Sequence, residues 1–286
     1  MEPAPTPARQ LWQALEPLHS VVYFSPEPAE AAAGLGLRGG WMGYFAGRFA
    51  PLGPLSAGPA TSMAFGFAPQ RVARALPDAW THATPERVLE TRIEAVGRAL
   101  RRTLGASLDQ VVDELGGLLG TAVEACRYDA RPLAAGWAEV DRPTDPVPAF
   151  WLLTTILREH RGDGHVLAAV SLGLTGLEAA VTHVASGIVP RELLQKSRGW
   201  TDEEWEESQR SLQARGLVDG DGHLTDSGRC LRQDLEEATD RLAAGPVEGL
   251  GPDGFERALH LARPLSRSVM DDGLLPVPNP IGVPRP

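Results

Sequence analysis

Residues 212–231 read LQARGLVDGDGHLTDSGRCL. The stretch opens on the end of a helix, which Gly216 stops. Leu217-Val218 and His223-Leu224-Thr225 are short extended runs around the turn Asp219-Gly220-Asp221-Gly222, which predicts a β-hairpin. Ser227-Gly228 then leads into a helix from Arg229 to Leu242. Upstream lies a helix from Thr201 to Arg215, with Trp205, Leu212 and Ser208 facing inward. Thr201 and Glu204 stand at capping-box spacing and mark its start. A short helix, Pro190 to Ser197, precedes it across the turn Arg198-Gly199-Trp200. Helix, turn, helix, hairpin, helix is the winged helix-turn-helix plan.

Helical spacing dominates elsewhere. Val88, Leu89, Ile93, Val96 and Leu100 form an apolar stripe over Pro85–Leu104, capped by Thr84 and ended by Gly105. Further helices are expected over Leu108–Cys126, Leu177–Ala185 and Pro252–Met270. Pro148–His160 is strongly apolar and reads as a buried helix, broken by Gly162-Asp163-Gly164, with another helix over His165–Leu172. Residues 1–7 and 276–286 are proline-rich and read as flexible tails.

The two halves echo each other. His19 precedes Pro26 by seven residues and leads to Gly40-Trp41; His183 precedes Pro190 by seven and leads to Gly199-Trp200. The expected fold is therefore mainly α, with two winged-helix-like lobes as a fused internal repeat and small β-hairpin wings. The N-terminal lobe spans 8–127 and the C-terminal winged-helix lobe 128–275. A fused pair has less need to dimerise, so a monomer is expected.

Hydrophobic residues make up 43 %, enough for a sizeable core, and the formal net charge is -10. No apolar run reaches bilayer length and no secretory signal is evident, so a cytoplasmic location is expected. Cys126 and Cys230 are far apart and outside any CxxC, and read as buried or partly buried thiols. No HExxH, P-loop, dinucleotide fingerprint or GxSxG elbow is present, so neither cofactor nor metal is expected.

The charge on the would-be recognition helix argues against DNA. Residues 201–215 hold Asp202, Glu203, Glu204, Glu206 and Glu207 against Arg210 and Arg215. Acids at a helix N-terminus complement its dipole, but the same surface repels phosphate. DNA is not an expected partner.

The densest polar run is Arg158-Glu159-His160-Arg161-Gly162-Asp163-Gly164-His165. Two histidines, two carboxylates and two arginines make an acid–base and anion-binding set; the alternative is a polar helix corner. In the first reading His165 or His160 is the base, Asp163 orients it, Glu159 completes the set, and Arg158 and Arg161 clamp an anion. Tyr44 and Arg48 stand four apart on one helix face near Trp41 and Phe45, suiting an anionic organic ligand, or else a core helix with an ion-paired arginine. His19, His82 and His183 stand alone and read as core residues.

The phrase at 212–231 resembles the recognition-helix end and wing of MarR-type regulators. HSVVYFSPE (19–27), GWMGYFAGRFAPLG (40–53), RALPDAW (74–80), LREHRGDGH (157–165) and GWTDEEW (199–205) resemble the SalK-like actinobacterial proteins, which carry a helix-turn-helix description. This resemblance implies a bacterial setting in natural-product biosynthesis and, more distantly, cofactor-free ring-forming chemistry. MarR-type proteins are dimers with ligand pockets where subunits meet, so a pocket between the lobes is implied here. The resulting expectation is a small-molecule-acting protein of bacterial specialised metabolism, a cofactor-independent acid–base enzyme of elimination or cyclisation type. Its alternative is a ligand-responsive MarR-like transcription regulator or a non-catalytic small-molecule-binding protein.

Overall fold

The computed structural model describes residues 4–286, which are mainly helical. Helix α1 (Pro7–Phe24) is capped by Thr6, whose hydroxyl accepts from Arg9 N, and buries Leu11, Leu15, Leu18, Val21 and Val22. Ser25 separates it from α2 (Pro26–Gly34). In α3 (Gly39–Phe49) the buried face is Met42, Phe45, Ala46 and Phe49, joined by Arg48. Two short helices follow, α4 (Ala57–Ala64) and α5 (Pro69–Ala73). Helix α6 (Pro85–Leu104) has the expected bounds. Thr84 caps it by accepting from Arg87 N, and Gly105 ends it at φ 47°.

The helix expected over 108–126 is two, α7 (Ala106–Asp109) and α8 (Val112–Glu124). Helix α9 (Pro132–Ala138) leads to α10 (Pro146–Ser171). Here the expectation of a break fails: α10 runs straight through Gly162-Asp163-Gly164. Two isolated glycines weaken a helix by about 1 kcal/mol each, and the buried residues on either side, Leu152 to Leu157, Glu159 and Ala168-Ala169, hold the rod together.

Helices α11 (Gly176–Ala185), α12 (Arg191–Arg198) and α13 (Asp202–Ala214) follow. Gly199 turns α12 into α13 at φ 83°, and Thr201 and Glu204 form the expected capping box. The expected hairpin is reduced to one antiparallel bridge, Val218 to Leu224. Asp219 explains the economy: its carboxylate accepts from both Asp221 N and His223 N, satisfying the turn without further strand pairing. Helix α14 (Asp226–Leu242) starts on Thr225, and α15 (Gly245–Asp271) closes the series, with Gly251 non-helical just before Pro252.

The largest core joins α1, α6, α8, α10 and α15. α1 lies along α15, and α8 lies against both α10 and α15. A second core is aromatic, built on Phe45, Phe49 and Phe67. A third holds the end of α10 with α11 to α14, around Trp205, Leu212 and Leu235. Residues 276–286 carry no helix or strand, yet Asn279 and Val283 are buried and Asn279 Nδ2 donates to Val283 O. Cys126 is buried, and burial pushes its thiol up to about 12. Cys230 is exposed, not part-buried as expected, because it lies on the outer face of α14. Among the described residues no single helix is long and apolar enough to cross a membrane.

Candidate functional site

Because α10 is continuous, the run Arg158–His165 is spread around a helix at 100° per residue rather than gathered in a loop. Asp163 faces α9, where its carboxylate accepts from Ala134 N at 3.0 Å. It caps that helix, and not the one sequence reasoning began at His165. Burial raises its carboxyl to about 6 against the pull of that N–H. His165 faces α14, its Nδ1 3.1 Å from Thr239 Oγ1. Arg161 pairs with Asp240 at 2.7 Å. His160 is buried, its carbonyl accepts from Arg131, and burial followed by the Arg131 charge lowers its imidazole to about 4. Asp163 and His165 turn to different helices, while His160 and Arg161 line one cleft together.

Arg158 and Glu159 do converge with the first half of the chain. Arg48 makes a bidentate pair with Glu159, with both contacts at 2.9 Å. Arg158 Nη1 donates to the same carboxylate at 2.8 Å, and its Nε is 3.8 Å from Glu16. Burial pushes Glu159 up, but Arg158 and Arg48 outweigh it and hold the carboxyl at about 2. The Tyr44 hydroxyl lies 3.5 Å from Arg48 Nη1. Trp41 stands at the edge, 5.5 Å from the Tyr44 ring and covered by Arg71 at 4.6 Å.

Several members of this cluster escaped sequence reasoning. His19 stacks on Trp151 at 5.8 Å and bridges Thr155 Oγ1 (3.1 Å) and the Tyr23 hydroxyl (3.0 Å). Thr155 donates its own proton to Trp151 O, so it accepts from His19 Nδ1, and Tyr23 donates to Nε2. Burial, then the positive charge of Arg158, holds His19 neutral. Arg92, from α6, lies 5.8 Å from the Tyr23 and Trp151 ring centres, and among the described residues its Nε has no hydrogen-bond partner. It crosses over Gly47, where an added Cβ would sit 3.0 Å from Arg92 Cδ. Arg198, the last residue of α12, stacks 4.5 Å from the Phe67 ring and donates to Pro280 O at 3.1 Å. Only Arg198 had a sequence signal, its place beside the helix-ending Gly199.

Four guanidinium groups, Arg48, Arg92, Arg158 and Arg198, thus share one electrostatic neighbourhood with Tyr23 and Tyr44. Among the described residues the carboxylates paired with them are Glu16 and Glu159, and burial raises Glu16. Burial also lowers Arg92 and Arg198, which make no ion pair among the described residues. Tyr23, Tyr44, Arg92 and Arg198 are half-buried, and the Arg158 side chain keeps 20 % of its surface accessible, so solvent reaches the cluster. Arg92 Nε is itself buried without a partner among the described residues, and an uncompensated buried charge is costly, so this surplus favours a counter-charge. A narrow cleft adjoins the cluster through Arg158 and Glu16; Trp12, His160 and Arg161 also line it, and three buried atoms there have no hydrogen-bond partner among the described residues: Glu16 Oε1, His160 Nε2 and Arg161 Nη1. Buried water commonly satisfies such groups.

The outer face of the helix-turn-helix is acidic as read. Asp202, Glu203, Glu206 and Glu207 are exposed on the first turns of α13. Asp202 pairs with Arg191 at 3.0 Å, and Glu204 accepts from Gln70.

A model of the helix-turn-helix family matches residues 8–276, and the chain belongs to that family. Comparisons with curated proteins and with solved structures give no match. The match corrects one expectation: a helix-turn-helix family spanning nearly the whole chain overturns the reading as a cofactor-independent enzyme and favours the regulator or binding alternative. The turning of Asp163 to α9 and of His165 to α14 is the physical counterpart of that correction.

Proposed function

We propose that this chain is a ligand-responsive winged-helix regulator of MarR-like type, whose central arginine cluster is the site for a small anionic effector. Family membership supports the helix-turn-helix class. Helices α12 and α13 with the bridged turn 217–225 are the DNA-facing unit and its wing. Residues 8–127 and 128–275 are two related lobes, with α1 answering α10 and α8 answering α15, a register offset from the His19–His183 echo in the sequence. In support, α1 packs on α15 as α10 packs on α8, and α8 and α15 pack on each other. The protein is then an internal pseudo-dimer that works as a monomer. Its effector site lies on the seam, where Arg48 of one lobe meets Glu159 of the other. The resemblance to SalK-like proteins supports an effector drawn from bacterial specialised metabolism.

The observation that carries the effector reading is the buried excess of guanidinium over carboxylate between aromatic rings, reached by solvent. Calorimetry with small aromatic carboxylates tests it: binding that weakens with salt is expected, and preference for a neutral amide over its acid overturns it.

The acidic face of α13 favours a second reading, a non-catalytic small-molecule-binding protein that makes no DNA contact. Retention on heparin, with mixed-sequence DNA bound less tightly at 200 than at 50 mM salt, favours the regulator. Flow-through in the same buffers favours the second reading.

A further inference from the structure

The central cluster joins the turn of the helix-turn-helix to the first half of the chain. Arg198 ends α12, directly before Gly199, and its guanidinium lies over Phe67. Its own carbonyl accepts from Ala68 N at 3.0 Å. Two residues on, the Trp200 indole donates to Gly66 O at 2.9 Å, and Arg71 donates to Lys196 O at 3.0 Å. The turn 198–200 is therefore bound to the segment 66–71 from both sides, with Arg198 reaching through that seam.

The charges in the cluster are unequal. Arg48 and Arg158 share Glu159, and Glu16 stands beside Arg158. With both carboxylates ionised, two of the four guanidinium charges lack a counter-charge. The two without an ion pair among the described residues are Arg92, beside Tyr23 and Trp151, and Arg198, over Phe67. The rings beside them, Tyr23 next to Arg92 and Phe67 next to Arg198, both pack on Tyr44, at 5.3 and 5.4 Å, a continuous aromatic wall that favours a flat ligand body.

We propose that the effector carries two negative charges on a planar body, that Arg92 and Arg198 hold one charge each, and that Arg198 passes occupancy to the helix-turn-helix by tightening the turn 198–200 against residues 66–71. This rests on the anion-site reading above and adds the charge count and the reporting residue. A dianion supplies the missing counter-charge in full, whereas a monoanion leaves one guanidinium uncompensated. The ligand is favoured only where both arginines are in place, so its binding free energy stabilises the closed seam.

Benzoate, isophthalate and neutral benzamide, titrated calorimetrically into the full chain at neutral pH, separate the possibilities. Isophthalate should bind at least about tenfold more tightly than benzoate, since a second charge-assisted contact is added. In Arg92→Met and in Arg198→Met that ratio should fall towards one, while Arg92→Lys and Arg198→Lys retain most of it, which controls for misfolding. Amide exchange in residues 66–71 and 198–202 should slow with isophthalate in the parent and not in Arg198→Met. Equal affinity for benzoate and isophthalate overturns the dianion proposal and leaves the anion site standing. Retention of the isophthalate preference in both methionine variants overturns the assignment of Arg92 and Arg198. Protection of 66–71 in Arg198→Met overturns the reporting role. If benzamide binds and neither acid does, or none of the three binds, the anion-site reading and the proposal fall together.

Discussion

Arg48 and Glu159 are the residues on which the centre of the molecule turns. Arg48→Met leaves Glu159 buried with Arg158 alone, and should destabilise the protein by about 3–5 kcal/mol, read as a lower urea midpoint. Replacing both members, as Arg48→Met with Glu159→Leu, should recover much of that loss, because a buried pair gives little net stability over apolar packing. A double variant as unstable as the single one would contradict this account. Part of the site could be read from the chain: Tyr44 and Arg48 stand four apart on an aromatic helix, and Arg158 and Glu159 sit in the densest polar run. Arg92 could not, since it is one arginine among many along the charged side of α6 and owes its place to Gly47 on another helix. A lone histidine such as His19 reads as a core residue; it is buried, and within the core it completes a hydrogen-bond chain to Tyr23.

At the scale of the element, α10 holds the sharpest contrast between pattern and packing. Gly162 and Gly164 flank Asp163, a combination that ends helices when little else holds them. Here the helix is flanked by core on both sides, and local propensity loses. Gly162→Ala meets only ordinary contacts, the nearest being Glu159 Oε2 at 3.6 Å. It should stabilise the protein by about 0.5–1 kcal/mol. Gly164→Ala brings a methyl to 3.2 Å from Arg131 Nη1 and 3.3 Å from Leu242 Cβ. It should destabilise, and thermal melts of the two variants moving in the same direction would count against a continuous α10. Where the sequence carried explicit signals the elements came out as read: Thr84 and Gly105 bound α6, and Thr201 with Glu204 starts α13. Thr201→Ala removes one half of that capping box and should lower stability by about 1 kcal/mol, seen as a lower melting temperature.

For the whole molecule, buried imidazoles set the response to acid. Burial holds His160, His165 and His183 each at about 4, and His19 well below its ordinary value. Unfolded histidine titrates near about 6.5, so as pH falls from about 6.5 to about 4 the unfolded chain takes up protons that the folded chain refuses. Stability is lost through that window. Asp163 works the other way: raised to about 6, it gains a proton in the fold first and adds stability as pH falls. Glu16, also raised by burial, acts in the same direction as Asp163, but the four histidines outweigh both carboxyls, so unfolding free energy should drop on the order of 5 kcal/mol between pH 7 and pH 4.5. Urea titrations at the two pH values that gave the same midpoint would refute this.

The pairing of α1 with α15 also bears on how the chain is made. Of the described helices, α1 leaves the ribosome first, and the helix against which it lies is translated last. Ser266 of α15 donates to the Ala14 carbonyl, and Leu265 and Val269 complete the core that Leu15 and Leu18 begin. During elongation the apolar stripe of α1 has no native partner from α15, so the central core closes only after residue 245 has emerged. Nascent chains halted before that point should engage chaperones through residues 11–22, and release should coincide with the appearance of α15 rather than of α8.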